Sequence, residues 1–129
     1  EARELSDDTP RSYGRGMGRQ NISLGRWGEG RVARHYEAAG YVVLDRNWQV
    51  RGGELDLVLA RDDEIVFCEV KTRRSDRFGT GVEAVDRRKQ RFLRRTAASW
   101  LDAHERRGRL RFDVASVVGP RIEILEAAF

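Results

Sequence analysis

The segment ELDLVLARDDEIVFCEVK, Glu54 to Lys71, constrains the fold most, because two apolar alternations flank the turn Asp62-Asp63. Residues two apart on a strand share a face, so Leu55, Leu57 and Leu59 are expected on one side, and Glu54, Asp56, Val58 and Ala60 on the other. In the second run, Val66, Cys68 and Val70 lie opposite Ile65, Phe67, Glu69 and Lys71. A two-residue loop at Asp62-Asp63 pairs Arg61 with Glu64, so facing residue numbers sum to 125. This register puts both apolar faces on one side of the sheet, whereas a slip of one residue would oppose them. It also sets Asp56 against Glu69 and Glu54 against Lys71.

Two facing carboxylates repel by a few tenths to ~1 kcal/mol unless a positive group lies between them. Lys71 is one candidate for that group. A hard divalent cation is the other, since Mg²⁺ takes one or two carboxylates and completes its shell with waters and phosphate. The plain alternative is a hairpin end that carries charges for solubility. The face shared with Val58, Ile65 and Phe67 argues against it.

The 129 residues suit a single domain. Residues 1–21 are rich in Arg, Gly, Ser and Asp, too polar to offset their ordering entropy, and are expected to form a flexible arm. Residues 22–129 then form the domain. Ser23 is placed to cap a helix whose apolar positions are Leu24, Trp27, Val32, Tyr36 and Ala39, with Gly40 as its stop. YVVLDRNWQV reads as a strand, Arg51-Gly52-Gly53 as a turn, and Thr72 to Gly81 as a basic loop. Val85, Phe92, Leu93, Ala97, Trp100 and Leu101 mark one side of a second helix. LRFDVASVV and RIEILEA, separated by Gly119-Pro120, form a closing pair of strands. The order α-β-β-β-α-β-β describes an α/β domain, a mixed β-sheet flanked by helices. Trp27, Trp48 and Trp100 are expected in the core, and His35 and His104 on the surface.

Net charge is +4, but it is unevenly spread: Lys71 to Arg95 holds ten Lys/Arg against three acidic residues. Such a local basic face suits an anionic partner. The single cysteine, Cys68, excludes an internal disulfide or a zinc cluster of cysteines and fits a reducing compartment. No apolar run is long enough to span a membrane, and the acidic start EARELSDD is unlike a signal peptide, so a cytoplasmic location and no membrane partner are expected.

GELDLV followed by VFCEVKTR resembles the D-x(n)-E-x-K core of the PD-(D/E)XK nuclease superfamily. Together with GRWGEGRVARHYEAAGY, FGTGVEAV, the helix bearing Lys89, and RFDV, the chain from about Leu24 to Val118 is similar to the YraN family of nuclease-like proteins, which resemble archaeal Holliday-junction resolvases. The resemblance implies a restriction-endonuclease-like (resolvase-like) fold and a metal-dependent endonuclease hydrolysing phosphodiester bonds of DNA, with branched DNA as a candidate substrate. A catalytically silent nucleic-acid-binding module of the same fold is the alternative. Asp56 and Glu69, with the Val70 carbonyl, would hold Mg²⁺, for which Mn²⁺ can substitute. Lys71 would orient or activate the attacking water, and Glu29 matches the acidic residue that resolvase-like members bring from the first helix. Cys68 replaces the valine usual before the glutamate, on the opposite face. Glu54 is expected to hold Lys71, and Lys89 and Gln90 to support the site. Arg73, Arg74, Arg77, Arg87, Arg88 and Arg91 are the expected nucleic-acid contacts. Resolvase-like relatives work as dimers, since two cuts are needed across a junction, so the resemblance makes a homodimer a candidate state.

Overall fold

The computed structural model describes residues 18–73 and 85–129, with side chains from Leu24 onward. Five strands lie in the order β1-β2-β3-β4-β5: β1 (Val42–Val50), β2 (Gly53–Arg61), β3 (Glu64–Arg73), β4 (Arg109–Val118) and β5 (Arg121–Leu125). The pair β3/β4 is parallel and the other neighbours are antiparallel, so the sheet is mixed. Helix α1 (Gly18–Ala38) covers one face. Helix α2 (Arg87–His104) makes the crossover from β3 to β4 and covers the other. The expected α-β-β-β-α-β-β order is the observed one. Among the described residues no helix is long and apolar enough to cross a membrane.

Helix α1 begins at Gly18, so Ser23 lies inside it rather than at its cap, and 18–21 belong to the helix rather than to an arm. Residues 1–17 lie outside the described residues. The buried stripe of α1 is Gly28, Val32, Ala33 and Tyr36. Gly28 is required there: a side chain at that point would run into Thr72 of β3, so the missing Cβ lets the helix lie close on the sheet. Trp27 lies beside this stripe and is 47% exposed, with Arg31 stacked over its ring. The expectation of a core tryptophan therefore fails at Trp27. It holds at Trp100, which is buried, while Trp48 is half-buried.

The side of α2 facing the sheet is formed by Leu93, Thr96, Ala97 and Trp100, with Asp86 as N-cap accepting from Lys89 N–H. Phe92, read as a core position, is 41% exposed, because the contact stripe runs through Leu93 and its neighbours a helical turn away. The Trp100 indole donates to Asp45 Oδ2 at 2.9 Å and stacks on His104. His35 and His104 are both exposed, as expected.

The β2/β3 register is the expected one from Arg61↔Glu64 to Leu57↔Cys68. Leu57 and Leu59 pack under α1 with Val66 and Cys68, while Val58 packs under α2 with Ile65 and Phe67. Strict alternation would return Leu55 to the α1 side. Instead Leu55 and its partner across the ladder, Trp48, both pack in the α2 cluster. β1 and β2 therefore turn over together between Arg46↔Leu57 and Trp48↔Leu55, and the expected common face of Leu55, Leu57 and Leu59 is corrected there. The non-glycine residue Asn47 takes a left-handed φ of 46° at this point.

A second polar anchor secures the α1 side. The fully buried Asp113 carboxylate accepts two bonds from the Arg111 guanidinium, at 2.9 and 2.8 Å, one from Tyr36 O–H at 2.5 Å and one from Ala127 N–H at 3.0 Å. Removing the carboxylate leaves Tyr36 O–H and Ala127 N–H without that acceptor and leaves Arg111 with Glu64 at 3.1 Å and Glu126 at 3.7 Å. Asp113→Ala is expected to cost about 3–5 kcal/mol in urea unfolding, the range for breaking a buried ion pair.

Candidate metal and nucleic-acid site

Past Leu57↔Cys68 the β2/β3 ladder stops, and the Asp56 side chain takes up the backbone group that would otherwise be unmatched. Val70 N–H donates to Asp56 Oδ2 at 2.8 Å. Asp56 is thus held at the fork of the two strands. It is half-buried, as is Glu69, whose side chain is only 10% exposed. Asp56 and Glu69 line a cavity of about 240 Å³ together with Glu54 from the sheet and Lys89, Phe92 and Leu93 from α2. Its floor at Gly53 depends on the missing side chain, since a Cβ there would collide with Thr96 of α2.

Carboxylates dominate the electrostatics. Burial first, then Glu69 and Glu29, hold the Asp56 carboxyl well above its usual range, against the opposing hydrogen bond from Val70. Burial likewise raises Glu29 to about 7, and Glu54 and Glu69 add to that, while the amide of Asn47 and the charge of Arg26 oppose it. The structure thus brings four sequence-predicted residues, Glu29, Glu54, Asp56 and Glu69, within electrostatic reach of one another.

Among the described residues, the cation directly on this cluster is Lys89, whose Nζ lies 3.2 Å from Glu69 Oε2. Burial alone would lower the Lys89 ammonium, but Glu69, Asp56 and Glu54 outweigh it and leave it raised. Lys71 is half-buried and makes no hydrogen bond or ion pair among the described residues. The expected Glu54–Lys71 contact does not form: the ladder ends before that pair, and Glu54 is exposed and pairs with Gln49 of β1. For the same reason Asp56 and Glu69 meet at a fork rather than as a ladder pair. The side-chain amide of Gln90 donates to the Val85 carbonyl at 3.1 Å, and Gln90 is not among the residues lining the cavity. Arg87, Arg88 and Arg91 are exposed on α2, and Arg73 is half-buried at the end of β3. Arg74 and Arg77 lie outside the described residues.

Glu29 lies in the middle of α1, so favourable charge at a helix N-terminus does not explain it. It accepts at Oε1 from Asn47 Nδ2 at 2.8 Å. Sequence reasoning missed Asn47. The available signal was its residue type, since Asn is the non-glycine residue that most readily adopts a left-handed backbone, here in the middle of a strand.

Two carboxylates at a strand fork, desolvated and mutually repelling, form a donor set that a hard cation relieves. No group of three or more His, Cys, Asp or Glu side chains with metal-binding geometry exists among the described residues. Two carboxylates fall short of the donor set of an ion that needs a full protein cage, whereas Mg²⁺ is commonly bound through one or two carboxylates and waters.

Residues 28–117 match the model of the uncharacterised protein family UPF0102, a stretch that runs from α1 through β4 and includes Glu29, Asp56, Glu69, Lys71 and Lys89. The chain belongs to that family. It is the YraN group that the sequence blocks resemble. A UPF0102 protein of Frankia alni is 50% identical over 117 residues, covering 86% of this chain and 98% of its own. One of Rhodococcus opacus is 44% identical over 115 residues, covering 84% and 98%, and one of Syntrophomonas wolfei is 48% identical over 99 residues, covering 76% and 86%. This UPF0102 chain thus matches these relatives over 76–86% of its length.

Glu29 and Asp56 bind protons more tightly folded than unfolded, so between about 4.5 and about 7, the usual and raised values for Glu29, the folded chain holds more protons than the unfolded chain. Stability contributed by the neutral forms is complete below this window and is lost as pH rises through it. Urea midpoints measured at its two ends should fall toward the upper end in metal-free wild type. They should fall less in Glu29→Gln; an equal fall in both would show that Glu29 is not desolvated.

Proposed function

We propose that this UPF0102 chain is a metal-dependent endonuclease of restriction-endonuclease-like, resolvase-like fold, hydrolysing phosphodiester bonds of DNA. The observation that carries the reading is the half-buried Asp56–Glu69 pair at the β2/β3 fork, which lines an open cavity and in which burial first and Glu69 second hold Asp56 above its usual range, with Lys71 on the same strand as Glu69. Such a like-charged pair is costly in stability and gains its use from a cation and a phosphate.

Asp56 and Glu69 would hold Mg²⁺ or Mn²⁺, with the Val70 carbonyl as a third donor. When bound, the ion would supply Lewis acidity toward the phosphate and toward water. The chain's residues do the remaining work. The Val70 N–H fixes the Asp56 carboxylate, so its orientation is set before a ligand arrives. Lys89 offsets the charge of Glu69 in the absence of a ligand. The Lys71 ammonium, without a carboxylate partner among the described residues, remains available to orient water and to offset charge on the phosphate. Arg87, Arg88 and Arg91 on the exposed side of α2 supply phosphate contacts, so affinity should fall with salt.

One observation favours the second reading, a silent nucleic-acid-binding module: Glu69 already has a side-chain cation, Lys89, at 3.2 Å. The two readings separate on labelled four-way-junction and linear DNA incubated with Mg²⁺, Mn²⁺ or EDTA. The nuclease reading expects cutting that EDTA stops, that Asp56→Asn abolishes and that Lys71→Ala slows by roughly 10²–10³-fold. Salt-sensitive binding without cutting identifies the silent module, and no binding at all defeats both.

Metal binding has its own readout. Mn²⁺ at 100 times its dissociation constant should stabilise the folded chain by about 2.7 kcal/mol. A rise in melting temperature is expected in wild type and not in Asp56→Asn. Equal rises in both would place the ion elsewhere.

A further inference from the structure

Glu29 and Glu69 come from opposite sides of the sheet, one from α1 and the other facing α2, and a flat sheet would keep them apart. The turnover of β1 and β2 removes that separation, and Asn47 sits at it. The ladder pairs Arg46↔Leu57 and Trp48↔Leu55 bracket Asn47 opposite Asp56. Its backbone is left-handed at φ 46°, and its side-chain amide donates to Glu29 Oε1 at 2.8 Å. A left-handed residue at this point needs only to be a glycine. An asparagine satisfies the backbone and adds a donor aimed at the carboxylate. We propose that Asn47 is a positioning residue that draws Glu29 of α1 to the Asp56–Glu69 fork, so that the strand turnover and the third carboxylate are coupled through one side chain.

The inference rests on the nuclease reading and extends it to a residue that touches neither metal nor substrate. Backbone strain at a functional site suggests such a role, and the hydrogen bond gives it an object. The alternative is that Asn47 serves the backbone turn alone. Glycine separates the two, because Asn47→Gly keeps the left-handed conformation and removes only the amide.

Two measurements on the full chain test this. In the metal-free protein, the Asn47 side-chain amide should give a proton resonance shifted by hydrogen bonding, and Glu29→Ala should return it to the position of a solvated amide; an unshifted resonance in wild type overturns the inference. In Mn²⁺-dependent cleavage of a labelled four-way junction, Asn47→Gly should melt with wild type, keep KM and lower kcat by roughly 10- to 100-fold, the loss typical when an outer partner of a site residue is removed. Combining it with Glu29→Gln should add no further loss. Wild-type kcat in Asn47→Gly overturns the inference and leaves the nuclease reading intact. If wild type binds the junction but cuts nothing, the nuclease reading falls and the inference falls with it, whatever the amide resonance shows.

Discussion

The hydrogen bond from Val70 N–H to Asp56 Oδ2 terminates one structure and begins another. Up to Leu57↔Cys68 the two central strands satisfy each other's backbone. Beyond it they part, and an amide so freed would cost about as much as a lost hydrogen bond if left buried and unmatched. A carboxylate satisfies it. The fork is therefore held open by a carboxylate that lines the cavity between β2, β3 and α2.

The accumulation of negative charge at that fork runs against folding. Burial first, and then the neighbouring carboxylates, raise the affinity of Glu29 and Asp56 for protons, and among the described residues the ammonium of Lys89 answers this cluster at close range. The remainder of the molecule compensates with ordinary means: two apolar clusters, one on each face, and the saturated Asp113 network under α1. The frustration is confined to one end of the sheet, the pattern expected where a site and not a core is being built.

The hairpin was legible because its loop and its alternation point to the same register, and Arg61↔Glu64 through Leu57↔Cys68 follow it. Alternation describes a regular strand, however, and cannot announce where two strands roll over together. Leu55 therefore appeared to belong with Leu57, and Glu54 with Lys71. The carboxylate partner of Lys89 was not legible for a different reason: which carboxylate a helix lysine meets is fixed by how closely the helix approaches the sheet, and here that approach depends on the bare Gly53 against Thr96. Helix α1 extended beyond its apparent cap because the stretch from Gly18 contains no residue that forbids a helix, and propensity marks such ends poorly. Glu29 was placed by resemblance; its partner Asn47 had no motif to advertise it.

The roll at Asn47 also has a consequence at the sheet margin. β1 is an edge strand, and a long flat edge offers unpaired amides and carbonyls to any other extended chain. This one is interrupted twice within nine residues, by the bulge between Val43 and Asp45 and by the left-handed turn at Asn47. No partner strand could follow it for more than a few residues without losing step. The kink that serves the interior thus leaves the border of the sheet a poor template for aggregation, and self-association through continuous strand pairing at that edge is disfavoured.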